Sequence, residues 1–220
     1  KSQFDVLVFV SGGIPALRPQ AGGFGGGGGG GFGGGDPTDL PDSLKLRTGR
    51  VTADKTVPQL KAFLEAGGRI VTIGGSTSLA QYLKLPVDDY MMERTPQGQI
   101  RPLPSDKFYV PASLLEVAVN TSATSALGME PTAIVMFDES PVLRLPPDAE
   151  AHGIKPVAWF ASAAPLRSGW AWGQTYLEGG IAAAEAKVGQ GTLYLFGPEI
   201  TFRSQPHGTF KFLFNALYGR

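Results

Sequence analysis

The sequence predicts an α/β fold with a mostly parallel central sheet, and two observations carry that prediction. The run "FDVLVFV" at residues 4–10 is continuously apolar, rich in valine, and followed by Ser11-Gly12-Gly13. Such a run is typical of a strand buried on both faces of a parallel sheet. Residues 56–85 then alternate between helix-like and strand-like patterns, and that alternation is the signature of strands joined by crossover helices.

The first half of the chain supplies two predicted helices around one strand. The segment "TVPQLKAFLEAGGR" has the apolar spacing of an amphipathic helix, with Thr56 as its cap, Pro58 in its first turn and Gly67 at its end. The next segment, "RIVTIGG", predicts a short buried strand. A second helix is expected in "STSLAQYLKL", opened by a serine or threonine cap, with Ser76 as the candidate.

The second half predicts further strands and a closing helix. Strands are expected in "SLLEVAVN", "TAIVMFDES" and "PVAWFA". The segment "GGIAAAEAKVGQGTLYLFG" predicts two strands joined by a hairpin at Gly189-Gln190-Gly191. The last segment has helical spacing, and we expect it to pack on the sheet through Phe210, Leu213, Phe214 and Leu217.

A glycine-rich stretch, "QAGGFGGGGGGGFGGGD" at residues 20–36, interrupts the first crossover. A phosphate-binding loop would need a helix start and a Lys-Ser/Thr pair after the glycines, and neither follows. We therefore predict an expanded loop that acts as slack chain, with Phe24 and Phe32 able to pin it. A short turn should replace it without loss of stability.

Composition narrows the classes of function. The chain has 220 residues, 19 acidic and 19 basic, so no electrostatic case for binding nucleic acid exists. No apolar run reaches the roughly 18 residues that a membrane helix needs. Cysteine is absent, which excludes thiol nucleophiles and thiolate metal sites. We expect a single domain over residues 1–220, cut from a longer chain and with self-association left open.

One candidate catalytic arrangement centres on Ser76, in the strand-turn-helix pattern "TIGGSTSLA". Such a turn can hold a serine nucleophile, and His207 is the candidate base, with Glu199 or Glu178 orienting its ring. The simpler interpretation makes Ser76 a helix cap. The chain's two histidines, His152 and His207, lack the spacing of a zinc site, so no metal or cofactor is predicted in this segment.

Two polar and aromatic segments are candidates for binding. The first contains Trp170, Trp172, Tyr176 and Glu178, which could line a glycan or peptide groove or simply cover the core. The second contains Glu199, Arg203, Gln205 and His207, just past a predicted central strand. Ligands of open α/β sheets meet loops at the carboxyl ends of strands, so both segments should converge there. We expect Glu199 or Glu178 to pair with Arg203.

Several stretches, "FDVLVFVSGGIP", "LKAFLEAGGRIVTIGGSTSLA" and "GWAWGQTYLEGG" through the end of the chain, resemble the class I glutamine amidotransferase-like domain appended to bacterial zinc carboxypeptidases of the M14 family. The resemblance implies a flavodoxin-like three-layer sandwich. Catalytic members of the fold carry cysteine at the elbow and His-Pro-Glu after the last strand. Here Gly75-Ser76 stands at the elbow, and the second motif reads Gly197-Pro198-Glu199.

The resemblance therefore implies a non-catalytic accessory domain, because glutamine hydrolysis has lost its thiolate and its imidazole. It also implies an upstream peptidase domain that holds zinc, a secreted or periplasmic location, and that domain or another protein as partner. The alternatives that the residues leave open are the serine hydrolase and a glycan- or peptide-binding module.

Overall fold

The computed structural model describes residues 4–17, 41, 43, 49 and 51–219. The glycine-rich prediction for residues 20–36 lies outside these ranges. The described residues form the helices α1 (Thr56–Glu65), α2 (Leu79–Tyr82) and α3 (Phe210–Tyr218), and the strands β1 (Val6–Phe9), β2 (Arg69–Ile73), β3 (Asp88–Asp89), β4 (Met92–Arg94), β5 (Ile100–Pro102), β6 (Ser113–Val119), β7 (Thr132–Phe137), β8 (Leu143–Arg144), β9 (Ile154–Trp159), β10 (Leu166–Ser168), β11 (Ile181–Val188) and β12 (Gly191–Phe196).

A ten-stranded sheet organises the fold, in the order β1-β2-β12-β11-β9-β6-β10; in addition, β7 pairs with β6, β8 pairs with β11, and β3 pairs with β8. The predicted α/β class is confirmed. Within the described residues, however, parallel pairing is confined to β1, β2 and β12, and the remaining pairings in the sheet are antiparallel. The expectation of a mostly parallel sheet thus holds for these three strands alone, because the later strands return through hairpins and loops rather than crossover helices.

Two hydrophobic clusters cover the two faces of the sheet. Alternate residues of β2 and β12 divide between them: Ile70 and Leu193 join α1 on one face, whereas Val71 and Tyr194 join α3 on the other. This alternation follows from the two-residue period of a strand. Helix, sheet and helix therefore form three layers.

Several local predictions are confirmed by the structure. Strands β11 and β12 pair antiparallel, with Val188 opposite Gly191, so the hairpin turn is Gly189-Gln190. Helix α1 matches the predicted segment, although Lys55 occupies the cap position and no side chain caps the helix there.

Two local predictions fail, the first of them in part. Helix α3 packs on the sheet and places Leu213 against the core as predicted, but its buried residues are Phe212 and Ala216, and Phe214 is exposed. The helix is rotated about its axis relative to the predicted orientation, because Phe212 packs on Phe196 and Asn215 donates hydrogen bonds to the carbonyls of Ser125 and Leu127. Ser76 caps no helix, since it lies inside the 3₁₀ turn Gly74–Ser78 that leads into α2.

Candidate functional site

The three parallel strands end at one edge of the sheet, and the chain leaves neighbouring strands there in opposite directions. The turn after β2 leads to α2 on one face, and the segment after β12 leads to α3 on the other. Such a change of direction opens a crevice between strand ends, where ligands of α/β proteins bind. Residues 10–14, 74–78 and 197–200 meet at this carboxyl edge.

Ser76 ties two of these turns together. Its hydroxyl donates to the carbonyl of Val10 at 2.5 Å and accepts from the backbone N–H of Ile14 at 3.0 Å. The residue is fully buried. Both the proton and a lone pair of the hydroxyl are therefore engaged in holding the β1 turn, and the nucleophile suggested by the sequence does not face the crevice.

Gly197 follows β12 directly, and its neighbours leave no room for a side chain. A Cβ at Gly197 would collide with the carbonyl oxygen of Pro141 and lie 3.2 Å from that of Ala182. The Gly197 N–H also donates to the Ala182 carbonyl at 2.9 Å, which fixes the backbone in this position. The crevice thus has no room for an imidazole at this point.

Glu199 is the acidic group that remains at the edge. One of its oxygens, Oε1, lies 2.8 Å from the position that a Cβ on Gly74 would take, and its carboxyl hydrogen-bonds Ser11. Burial raises the pKa of Glu199, the charge of Asp138 raises it further, and the Ser11 hydrogen bond opposes both. Glycine is required at position 74 for two reasons. Its φ of +59° is unfavourable for other residues, and a side chain there would collide with the Glu199 carboxyl.

The tryptophan loop, residues 169–178, lies against the segment that enters β6. Tyr109 and Trp172 exchange backbone hydrogen bonds of 3.0 and 2.9 Å, and Ser113 Oγ accepts from the Trp170 N–H at 3.0 Å. The Trp172 indole donates to the Asp106 carbonyl at 2.7 Å. These bonds fix the backbone of the loop and the orientation of one indole.

The aromatic side chains of this loop nevertheless face solvent. Trp170 is 53% exposed, Trp172 54% and Tyr176 46%. The Trp170 ring meets the edge of Tyr109, with centroids 5.9 Å apart. The interpretation of these residues as a lid over the core is therefore wrong, and exposure of both indoles is the outcome that favours a binding surface.

The second predicted cluster is not assembled as expected. Arg203 is exposed and lies over the neighbouring Phe202 ring, 5.1 Å from its centroid. No ion pair of Arg203 occurs within the described residues, so the predicted pairing with Glu199 or Glu178 is wrong. The backbone explains this, because Arg203 has φ +44° within a tight turn and its side chain stacks locally.

The remaining residues of the two predicted clusters lie at the surface. Gln205 and Glu178 are exposed. His207 is exposed as well, and its ring packs beside Phe210 at a centroid distance of 5.3 Å. The proposed base is thus at the surface, whereas Ser76 is fully buried, and the two do not present a shared reaction centre.

A cleft of about 900 Å³, which sequence reasoning missed, opens beside the carboxyl edge. We call it the hairpin cleft: it lies between the β4–β5 hairpin, the turn after β2 and the end of β7. Gly75, Thr77, Glu139 and Tyr109 are among its lining residues. Tyr109 also contacts Trp170, so one wall of the cleft adjoins the tryptophan loop. The signal in the sequence was "DES" directly after the strand "TAIVMF", since polar residues at a strand's end line such crevices.

A charge cluster stabilises the hairpin that forms one wall. Glu93 accepts from Arg101 at 2.8 Å and from Lys107 at 2.5 Å. The hydrogen bonds from Lys107 and Arg101 lower the pKa of Glu93, and its carboxylate raises the pKa of Lys107. The three side chains link β4, β5 and the segment that leads to Tyr109.

No protein-family model matches this chain, and no curated protein matches it either. Solved structures with a similar fold include a putative GMP synthase protein from Thermoplasma acidophilum, with 12% identity and a TM-score of 0.47 over 98% of this chain and 72% of that one. A putative ThuA-like protein from Bacteroides uniformis has 10% identity and a TM-score of 0.42, over 73% of this chain and 61% of that one.

A β-galactosidase from Bacillus circulans is also similar, with 10% identity and a TM-score of 0.42 over 74% of this chain. The chain spans only 20% of that enzyme's length. With identities of 10–12% and TM-scores of 0.42–0.47, these similarities indicate neither an activity nor a partner.

The described residues contain neither a candidate metal centre nor a candidate membrane helix. No group of three or more His, Asp or Glu side chains in ranges 4–17 and 51–219 is arranged to hold a metal ion. Within the same ranges, no helix has the length and apolar character to span a membrane.

Proposed function

We propose that this chain is a non-catalytic recognition domain, an amidotransferase-like accessory part of a secreted M14-type zinc metallocarboxypeptidase. The observation that carries the recognition role is the tryptophan loop, whose backbone is fixed while Trp170 and Trp172 stay more than half exposed. Exposed indoles on a fixed backbone are suited to binding, because little conformational entropy is lost when a partner covers them.

The non-catalytic part of the proposal is supported by the carboxyl edge. Ser76 is buried with its hydroxyl engaged, and the space for an imidazole at Gly197 is taken by the Pro141 carbonyl. An acyl-enzyme route needs a nucleophile and a base within hydrogen-bond reach of each other. The link to a zinc peptidase is supported by the sequence resemblance alone, and the proposal assigns the zinc to that upstream domain.

The test of the catalytic question is an assay of the purified chain with glutamine and with p-nitrophenyl acetate. We expect no turnover above buffer, and the same result for Ser76→Ala. Turnover that Ser76→Ala abolishes while the melting temperature stays unchanged would overturn the non-catalytic assignment and favour the serine hydrolase.

The test of the recognition role uses the natural protein that contains this chain. We expect its sequence before Lys1 to carry an M14 zinc signature, and the double variant Trp170→Ala, Trp172→Ala to lose binding to the separately produced peptidase domain. Gln59→Ala, an exposed polar position on α1 outside both predicted binding segments, is the matched control. Unchanged binding by the double variant would exclude the loop as the recognition surface.

A further inference from the structure

Strand β1 lies at an edge of the sheet, although its sequence is typical of a strand inside a sheet. Its four residues, Val6–Phe9, are all apolar and pair in parallel with β2. Among the described strands only β2 pairs with β1, so no described strand lies along its opposite edge. Val8 is 44% exposed, and Val10, just beyond the strand, is 53% exposed.

The backbone of β1 presents hydrogen-bonding groups at this open edge. The Asp5 carbonyl accepts from the Arg69 N–H of β2 at 3.0 Å, so the backbone groups of Leu7, two residues on, face β2 as well. Backbone groups alternate in direction along a strand. The N–H and C=O groups of Val6 and Val8 therefore point away from β2, toward the open edge.

The far end of the sheet is protected, whereas the edge of β1 is not. Strand β10 carries Arg167, bound to Glu116 at 2.7 Å, and its register on β6 shifts between Leu166 and Ser168. Charged side chains and irregular register keep an edge strand from pairing with other chains. Strand β1 has no charge, proline or glycine, and its register on β2 is continuous, so its edge is a template for a further strand.

We propose that the open edge of β1 binds the same edge of a second copy of this chain, as an antiparallel pair about a two-fold axis at Leu7. In that register Val6 lies opposite Val8 of the second copy, and Val8 lies opposite Val6 of the second copy. The outward N–H and C=O groups of these residues then form four hydrogen bonds between the chains. Each copy presents the same surface, as a two-fold interface requires.

The end of β1 decides where the axis lies. The Val10 carbonyl accepts from the Ser76 hydroxyl at 2.5 Å and from the Gly13 N–H at 2.9 Å, so both of its lone pairs are engaged. An axis one residue further along the strand would need this carbonyl as an acceptor between the chains. The axis at Leu7 uses only the outward groups of the strand itself.

The side chains also favour a second copy as the occupant. Because β1 is uncharged, its self-pairing places no like charges opposite each other. Residues that lie opposite each other point to the same face, so the exposed Val8 of each chain packs beside Val6 of the other. The ladder is short, so we expect a weak dimer with a dissociation constant on the order of 100 μM. This surface is separate from the tryptophan loop, and the inference does not depend on the proposed function.

Sedimentation velocity of the whole chain, at about 5 μM and about 500 μM, tests for the dimer. We expect monomer at the lower concentration and mostly dimer at the higher one. Val8→Lys should raise the dissociation constant at least about tenfold, because it places a charge in the apolar seam. Ile100→Lys, at an exposed apolar position on β5, is the matched control and should change nothing. A chain that is monomeric at 500 μM, or a dimer that Val8→Lys leaves intact, would overturn the inference.

Hydrogen exchange measured by NMR locates the interface. We expect the amides of Val6 and Val8 to exchange at least about tenfold more slowly at 500 μM than at 5 μM, while the amides of Leu7 and Phe9, which face β2, keep their rates. A dimer without this protection uses another surface and overturns the inference. Protection that appears only when the separately produced peptidase domain is added would assign the edge to that domain, and would overturn the second copy as occupant.

Disulfide cross-linking tests the register, because the chain contains no cysteine of its own. Leu7→Cys should form a disulfide between chains on air oxidation, since opposite Cβ atoms at the axis are about 4.5–5.5 Å apart. Phe9→Cys is the matched control, because the two copies of residue 9 are offset by about four residues, roughly 13 Å. Equal cross-linking of both variants, or cross-linking of Phe9→Cys alone, would overturn the inference.

Discussion

At the scale of single residues, Gly197 shows how the packing around one position restricts it to glycine. A Cβ there would meet the Pro141 carbonyl, so Gly197→Ala should destabilise the domain by about 1–3 kcal/mol through overpacking. The measurement is the urea midpoint of unfolding. Gly208→Ala is the matched control, because a Cβ there meets nothing within 4 Å. Equal midpoints for both variants would contradict the prediction, because they would show that the Pro141 segment shifts at little cost in free energy.

Glu199 should make stability depend on pH. Burial and the neighbouring Asp138 raise the pKa of this carboxyl above its usual value of about 4.3, so in the window between the two values the folded state binds more protons than the unfolded one. The stability contributed by the protonated carboxyl is complete below the unfolded pKa and is lost as pH rises through the folded pKa.

Glu199→Gln should remove this dependence. The amide keeps the shape of the protonated carboxyl, so the variant should be more stable than the parent at pH 7 and equal to it at low pH. Urea unfolding from pH 4 to pH 8 measures both, with the exposed Glu150→Gln as control. A parent whose unfolding free energy does not fall more steeply with pH than that of Glu199→Gln would contradict the raised pKa.

At the scale of elements, Ser113 holds the tryptophan loop. Its hydroxyl accepts from the Trp170 N–H and donates to a carbonyl of Pro111 or Trp170, at 2.5 and 2.8 Å. Ser113→Ala should cost about 1–3 kcal/mol, because polar groups at a buried site lose a partner. We also expect faster hydrogen exchange at the Trp170 amide, measured by NMR.

The control for this prediction is Ser162→Ala, since Ser162 is exposed and its hydroxyl accepts from the nearby Ala164 N–H. Exchange at Trp170 should not change in that variant. If Ser113→Ala leaves Trp170 exchange unchanged as well, the backbone bridge between Tyr109 and Trp172 is sufficient to fix the loop.

Elements whose pattern is local could be predicted from the sequence. Helix α1 and the hairpin between β11 and β12 depend on apolar spacing and turn residues that lie within one short segment. The buried face of α3 could not be predicted from the sequence, because it depends on hydrogen bonds from Asn215 to the carbonyls of Ser125 and Leu127, which are far away in the chain. The role of Ser76 was missed for the same reason, since its partners Val10 and Ile14 belong to another turn.

At the scale of the whole molecule, the sequence predicts the α/β class but not how many of the strand pairings are parallel and how many are antiparallel. The predicted alternation of strands and helices is present in the first half of the chain, where β1 and β2 pair in parallel. Strands β6 to β11 pair antiparallel because turn-rich segments, not helices, connect them. The hairpin cleft was missed because its walls come from three separated stretches, and only the fold places Asp89 and Glu139 along one cavity.

The position of β12 in the sheet has a consequence for how the chain is made. This strand lies between β2 and β11, yet it is the last of the described strands to leave the ribosome. Without β12, one edge of β2 lacks its partner strand, because Arg69 to Ile73 pair there with Thr192 to Phe196. Pairings between such distant segments close slowly. A nascent chain of this protein therefore cannot complete its fold half by half, and its aggregation-prone interval lasts until β12 has been synthesised.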